Sequence, residues 1–380
     1  MNVLKTNFLK NLSLSELGLV LLIPLASFTS HTWLPVPPTM VLFLGAAVCW
    51  VLLQMENGKW KIENGKLKNI IIVFSVFASY IFASQYLMGT GVRHYIGAMF
   101  APLYLVLILI FSERASDDFL KNLGQKFIRY SLVIFSVEAV LRYAYSFYSV
   151  LTCPGTTSVV FYDFKFAGPM YYSSNAVATH LVTLLFFMFW WGNTYKQSMK
   201  KEICVALVLI ALALSRASIL AIAVGLFYYA FFRNSDWKKS LITLFSIGTL
   251  GVLALLVLRN FFFDYSFQSK FLILEESLKF YYQTASLRDI LFGIGILEST
   301  NIMTHHAHNH FLLYLMEMGV IGLILLCATL FVLVKVTNGK AMIVLVPFLV
   351  HAMAESNTFL PYLYVIMALM ITTIFRQKNE

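Results

Sequence analysis

The chain has 380 residues, 59% of them hydrophobic and 12% charged, with a mean hydropathy of +0.77. Soluble globular domains carry about 25% charged residues, so these figures exclude a water-soluble enzyme and describe an integral membrane protein. The net charge of +10 is spread over short loops between apolar runs, which fits cytoplasmic loops rather than a nucleic-acid surface, and no nucleic-acid partner is expected.

The apolar runs are continuous rather than alternating, so the spans are helices and not barrel strands. The expected fold is all-α: one polytopic domain over 1–380 with about twelve transmembrane helices. The cysteines (Cys49, Cys153, Cys204, Cys327) are scattered and give no disulfide or zinc framework. The first apolar run starts near Glu16 and lacks a small-residue cleavage site, so it reads as a retained span.

In chain order, span one runs about Leu17 to Thr29 and span two about Met40 to Met55. The loop with Lys59, Lys61, Lys66 and Lys68 is cytoplasmic by the positive-inside rule. Span three is about Ile70 to Leu87. A short external loop with Arg93 and His94 leads to span four, about Tyr95 to Phe111. The segment SERASDDFLKNLGQKFIR is expected as a short interfacial helix, followed by span five, about Tyr130 to Tyr148. Glu138 and Arg142 in that span lie four apart on one helical face. They read either as a mutually satisfied pair that fixes packing or as groups near a substrate cavity.

An external loop, about Leu151 to Tyr172, precedes span six, about Asn175 to Trp191. Spans seven (about Ile203 to Leu214) and eight (about Ala217 to Phe232) meet at Ser215-Arg216, a tight external turn. Span nine is about Leu241 to Leu258. The region 259–309 is then a large external loop of about fifty residues, long enough to mark function. Its KFLILEESLKFYY segment has helical apolar spacing and reads as an amphipathic helix lying on the membrane. Span ten is about Phe311 to Val334, span eleven about Ala341 to Ala354 and span twelve about Tyr362 to Phe375. Arg376 and Lys378 leave the C-terminus inside, as is the N-terminus.

Four of the eight histidines, His305, His306, His308 and His310, fall at the end of the long loop where span ten begins. They share the external side with Arg93, Lys165, Arg216, Arg259, Lys270, Lys279 and Arg288. Guanidinium groups grip phosphate in a bidentate fork, so external arginines at a membrane surface suit a lipid-linked pyrophosphate. Arg259 and Lys279 read instead as ordinary surface contacts. His306 and His310 have the four-residue spacing of helical zinc ligands. No cysteine lies nearby and the closest upstream acid is Glu298, so no metal is expected. Capping of span ten is the alternative for His305, His306 and His310.

The segment His308-Asn309-x-x-Leu312-x-x-x-x-Glu317-x-Gly319-x-x-Gly322 resembles the signature of the O-antigen polymerase/ligase superfamily, polytopic enzymes with a GT-C-like architecture. Ser215-Arg216-Ala217 resembles that family's arginine at a tight periplasmic turn. Phe292-Gly293-Ile294-Gly295 resembles its glycine pair, and Ser174-Asn175-Ala176-x-Ala178 the asparagine opening an earlier span. The family's second arginine has no direct counterpart. Lys270 is nearest in position, while Arg288 keeps the guanidinium.

The resemblance implies an inverting, metal-independent and cofactor-free glycosyl transfer at the periplasmic face of a bacterial inner membrane. The donor would be an undecaprenyl-pyrophosphate-linked oligosaccharide. His308 would be the general base, its pKa range suiting proton removal. Arg216, with Arg288 or Lys270, would offset charge on the departing pyrophosphate. Arg93, Asn175, His306, Asn309, His310 and Glu317 would contact pyrophosphate or glycan, with hydrogen bonding inside the bundle or the orienting of a basic partner as the other reading of Glu317. Gly319 and Gly322 would allow close helix packing, and His351 and Glu355 would support the cavity. The implied partners are membrane lipids, a flippase and a chain-length regulator. The polymerase joins two lipid-linked glycans; the ligase alternative moves the glycan to lipid A-core. A glycolipid flippase is the reading from another class. The chain shows no internal repeat, which a transporter commonly has.

Overall fold

The computed structural model describes residues 12–28, 36–57, 64–152, 174–243, 245, 246, 249, 265–303, 309–353 and 361–377. The described residues are helical throughout, with no strand among them. The helices are α1 (Leu14–Leu22), α2 (Pro38–Asn57), α3 (Gly65–Met88), α4 (Val92–Ser112), α5 (Asp117–Thr152), α6 (Ser174–Thr194) and α7 (Lys200–Leu212). They continue with α8 (Arg216–Phe232), α9 (Tyr265–Gln283), α10 (Leu287–Phe292), α11 (His310–Val336), α12 (Met342–Ala352) and α13 (Pro361–Gln377). Residues 237–243 are also helical.

Among the described residues, four helices are long and apolar enough to cross a membrane: Pro38–Met55 of α2, and all of α3, α6 and α11. Val41, Leu44, Val48, Val51 and Met55 form one exposed stripe along α2. Left in water, such a stripe would forgo on the order of 10 kcal/mol of transfer free energy; lipid removes that cost. The chain is compatible with a membrane-embedded protein on these grounds.

The described residues fall into two compact units. One is bounded by Met1–Ser75, Phe100–Ser218 and Phe359–Glu380, the other by Val76–Met99 and Ile219–Thr358. In the first unit α6 and α13 are buried along almost their whole lengths. His180 of α6 packs edge-on to Tyr362 of α13, with ring centroids 4.7 Å apart. The Tyr362 hydroxyl donates to the His180 carbonyl at 2.9 Å. At the polar end of α13, Arg376 pairs with Asp117 at the start of α5 and also donates to the Ser112 and Ala115 carbonyls. The charge pattern assigns both of these ends to the same side.

Several expectations change. The interfacial helix and span five are one continuous helix, α5, of 36 residues; nothing between Arg129 and Tyr130 breaks the hydrogen-bond ladder, because neither glycine nor proline occurs there. Span one is shorter than its apolar run: α1, capped by a Ser13–Glu16 capping box, ends at Leu22 and gives way to turns. Span nine lies largely outside the described residues. Within 259–309 the helix expected at KFLILEESLKFYY is present as α9, and the region also carries α10 and a 3-10 turn at Glu298–Asn301, which were not expected.

Candidate functional site

The second unit is organised around a break in α11. Gly319 has φ 66° and ψ −175°, a region essentially restricted to glycine. A regular helix hands each carbonyl to the amide four residues on. The break releases the carbonyls just before it, and each of four consecutive ones is met from elsewhere. The Tyr281 hydroxyl donates to Leu315 O at 2.8 Å. The Ile294 amide donates to Met316 O at 2.9 Å and the Gly295 amide to Glu317 O at 3.2 Å. The Gln85 side-chain amide also donates to Glu317 O, at 3.2 Å, and the Tyr80 hydroxyl to Met318 O at 2.6 Å. An unmet carbonyl in a membrane interior costs several kcal/mol, so this stitching is what allows the break to exist.

The pairing needs glycine on both sides. A Cβ on Gly293 would lie 2.3 Å from the Glu317 carbonyl carbon, and one on Gly319 would lie 2.4 Å from the Leu291 carbonyl. Gly293, at φ 82° and ψ 177°, also sits in glycine-only backbone space. Gly319 therefore does not serve ordinary helix packing, as expected from the sequence; it is where the helix stops being a helix. Gly322 does pack, with a Cβ position 3.3 Å from the Tyr80 ring.

The half-helix before the break carries three of the expected site residues. Asn309 is its N-cap: Oδ1 accepts from the Phe311 and Leu312 amides at 3.0 and 3.1 Å. His310 is 2% exposed and packs against Tyr314 and Phe348, with centroids 5.3 and 5.7 Å away. Its environment is aromatic, not the polar cap the spacing suggested. Glu317 is 1% exposed, and its Oε1 accepts from Ser299 Oγ at 2.7 Å. The Leu297 backbone also bonds this carboxylate. No ion pair reaches Glu317 among the described residues.

Helices of the long loop grip the same half-helix. Ile273 of α9, Met303 and Met316 form a buried cluster, flanked by Phe280, Tyr281 and Leu312. Ser277 of α9 bonds both Met303 Sδ and Met316 Sδ at 3.2 Å. The helix expected to lie on the membrane thus has one face committed to α11, while Leu274, Leu278 and Tyr282 stay exposed. Burial and then the Asp289 carboxylate push the Tyr281 hydroxyl up to about 12, so it remains a donor at any physiological pH. Lys279 pairs with Glu275 at 2.9 Å on the exposed surface, the ordinary contact expected of it.

Arg288 opens α10 behind a Ser286–Asp289 capping box. It is exposed and donates to the Leu87 carbonyl at the end of α3. Arg288, Gly293, Gly295 and Glu317 are therefore neighbours within one unit. Lys270 and Arg93 lie on α9 and α4, with side chains outside the described residues. His305, His306, His308 and Glu355 also lie outside them; His351 is fully buried in α12.

Arg216 and Asn175 belong to the first unit. Only Ala213, Leu214 and Ser215 separate α7 from α8, with Leu214 at φ 53°, so Arg216 is the exposed first residue of α8 at a tight turn. Asn175 is the second residue of α6, half-buried. Glu138 and Arg142 are each 1% exposed and 3.6 Å apart. Both Glu138 oxygens, with Nε and Nη1 of Arg142, have no hydrogen-bond partner among the described residues. Val133, Val137 and Val140 are exposed on the opposite side of α5, so the pair points inward, away from lipid.

The sequence reading missed Tyr80, Gln85, Thr90, Tyr281 and Ser299. Only Gln85 carried a signal, an amide near the end of an apolar span, where an unmet polar group is costly. Comparison with known protein families, with curated proteins and with solved structures finds no match to this chain.

Proposed function

We propose that the protein is a periplasmic-face membrane glycosyltransferase of O-antigen polymerase type, joining one undecaprenyl-pyrophosphate-linked glycan to another. The observation that carries this reading is the pairing of Ile294 and Gly295 with Met316 and Glu317. Two short motifs, separately similar to parts of that superfamily, are in backbone contact although about twenty residues apart in the chain. In this reading the chain has about twelve spans, both termini are cytoplasmic and the site is periplasmic. His308 takes the proton from the acceptor sugar hydroxyl as that oxygen attacks the donor's anomeric carbon. The bond to pyrophosphate breaks with inversion, and the leaving group's charge is offset by Arg216 and by Arg288 or Lys270. Glu317, held by Ser299, keeps the half-helix after His308 in place. No metal takes part.

The break in α11 gives the flippase reading an observation of its own, since broken helices recur at transporter binding sites. There the freed backbone groups coordinate the cargo. Here the carbonyls of residues 315–318 are all occupied by protein donors, which favours a fixed scaffold.

Purified protein given lipid-linked repeat units alone should lengthen glycan chains without added metal, and His308→Ala should reduce elongation by at least about a hundredfold. A single en bloc addition that requires lipid A-core would replace the polymerase with the ligase. Full activity in His308→Ala would remove the mechanism.

A further inference from the structure

The knot at the α11 break contains one side chain that bonds α11, the segment after the glycine pair and the loop after α3. Gln85, fully buried near the end of α3, donates through Nε2 to Glu317 O at 3.2 Å. Its Oε1 accepts from the Ile296 amide at 2.6 Å and from Thr90 Oγ1 at 2.9 Å. The Thr90 amide returns to the Gln85 carbonyl at 3.1 Å. Thr90 Oγ1 also lies 2.7 Å from where a Gly295 Cβ would be, so the glycine lets this loop close over the amide.

These bonds fix the side chain's orientation: both donors meet Oε1 and the carbonyl meets Nε2, and a flipped amide would set donor against donor. The two ladder bonds between Ile294–Gly295 and Met316–Glu317 are short and local. On their own they join two stretches of one loop-and-helix unit. Gln85 ties that unit to α3 across 232 residues of sequence, beside the Tyr80 hydroxyl on Met318 O and Arg288 on the Leu87 carbonyl, and of these it alone bonds both Ile296 and Glu317. Buried hydrogen-bonded amides of this kind specify one arrangement out of several that apolar packing would tolerate.

We propose that Gln85 is a positioning residue: it locks the Gly293–Ile294–Gly295 segment and the Glu317 turn of α11 to α3 in a single register. Its effect on turnover rests on the glycosyltransferase reading; its effect on the register does not. Gln85 touches no substrate in this account and acts through Glu317 and the glycine segment.

The test uses the full chain in nanodiscs with Gln85→Met, which keeps length and removes the three side-chain bonds, and Thr90→Val, which removes only the Thr90 hydroxyl's bond to the amide. Hydrogen exchange at the Ile294, Gly295 and Ile296 amides should accelerate about tenfold in Gln85→Met and less in Thr90→Val, while the α11 amides beyond Gly322 keep their protection. In the elongation assay, kcat per folded molecule should fall about tenfold with KM for the lipid-linked unit within about twofold. Unchanged exchange at these amides in Gln85→Met overturns the proposal, as does a variant whose loss lies wholly in KM. If the unaltered protein lengthens no glycan, the glycosyltransferase reading falls by itself, and the exchange result alone decides the role of Gln85.

Discussion

At the scale of single residues, the glycines of the knot are where substitution has the clearest cost. Gly319→Ala asks a Cβ to enter glycine-only backbone space and to occupy a point 2.4 Å from the Leu291 backbone. About 3 kcal/mol or more should be lost, read as a drop of several degrees in the thermal unfolding of the detergent-solubilised protein. Gly322→Ala meets the Met318 Cβ, which the backbone also fixes, and the Tyr80 ring; it too is costly, but Gly322 is not in glycine-only backbone space, so without that strain it should cost less. An equal cost at both positions would contradict the break. Glu317 and Asn309 were legible in the sequence as polar residues at the mouth of a span. The Asn309 cap is local, but the bonds of Glu317 were not legible, because Ser299 and the 297–301 turn reach it only once the chain folds back at Gly293.

At the scale of elements, α5 poses a question that spacing alone left open. Its inward pair is fully buried, and removing one partner from a buried ion pair strands the other charge at a cost of about 3–5 kcal/mol. Glu138→Gln and Arg142→Met should each destabilise the protein by that order. The double replacement Glu138→Leu with Arg142→Met leaves no charge behind and should restore most of the lost stability. Elongation by the double variant then separates the alternatives. Retained activity makes the pair a packing device; lost activity in a stable protein makes it a contact for the glycan or pyrophosphate. The positions of α2, α3, α4, α6, α8 and α13 were readable to within a few residues from hydropathy, since a long apolar run leaves helix as the form that pairs its backbone. The joining of α5 was not, because the chain's polarity changes at Arg129 while its helix propensity does not.

At the scale of the whole chain, the charge pattern makes a statement about sides. In a cysteine-free background, a cysteine at Lys66 should react with an impermeant thiol reagent only after the inner membrane is opened, whereas one at Arg288 should react in intact spheroplasts. The same side for both would remove the assigned topology and, with it, the periplasmic site. Charge yields an expectation at this level because positive-inside selection acts on loops one at a time. It could not reach the arrangement around Gly319, which depends on Tyr80 and Gln85 of α3, Tyr281 of α9 and Ile294 being present together.

That dependence bears on how the protein is made. A membrane helix enters the bilayer as a segment, with every backbone group paired inside it. When α11 is inserted, a continuous helix is the only form that meets that requirement, and glycine permits it at position 319. The broken form becomes the better one only after α3, α9 and the glycine segment have gathered around it and can take over the carbonyls of residues 315–318. The bend is thus a late event of assembly, acquired from neighbours made both early and just before it. A chain that loses one of those donors would still insert, but would hold the break less firmly.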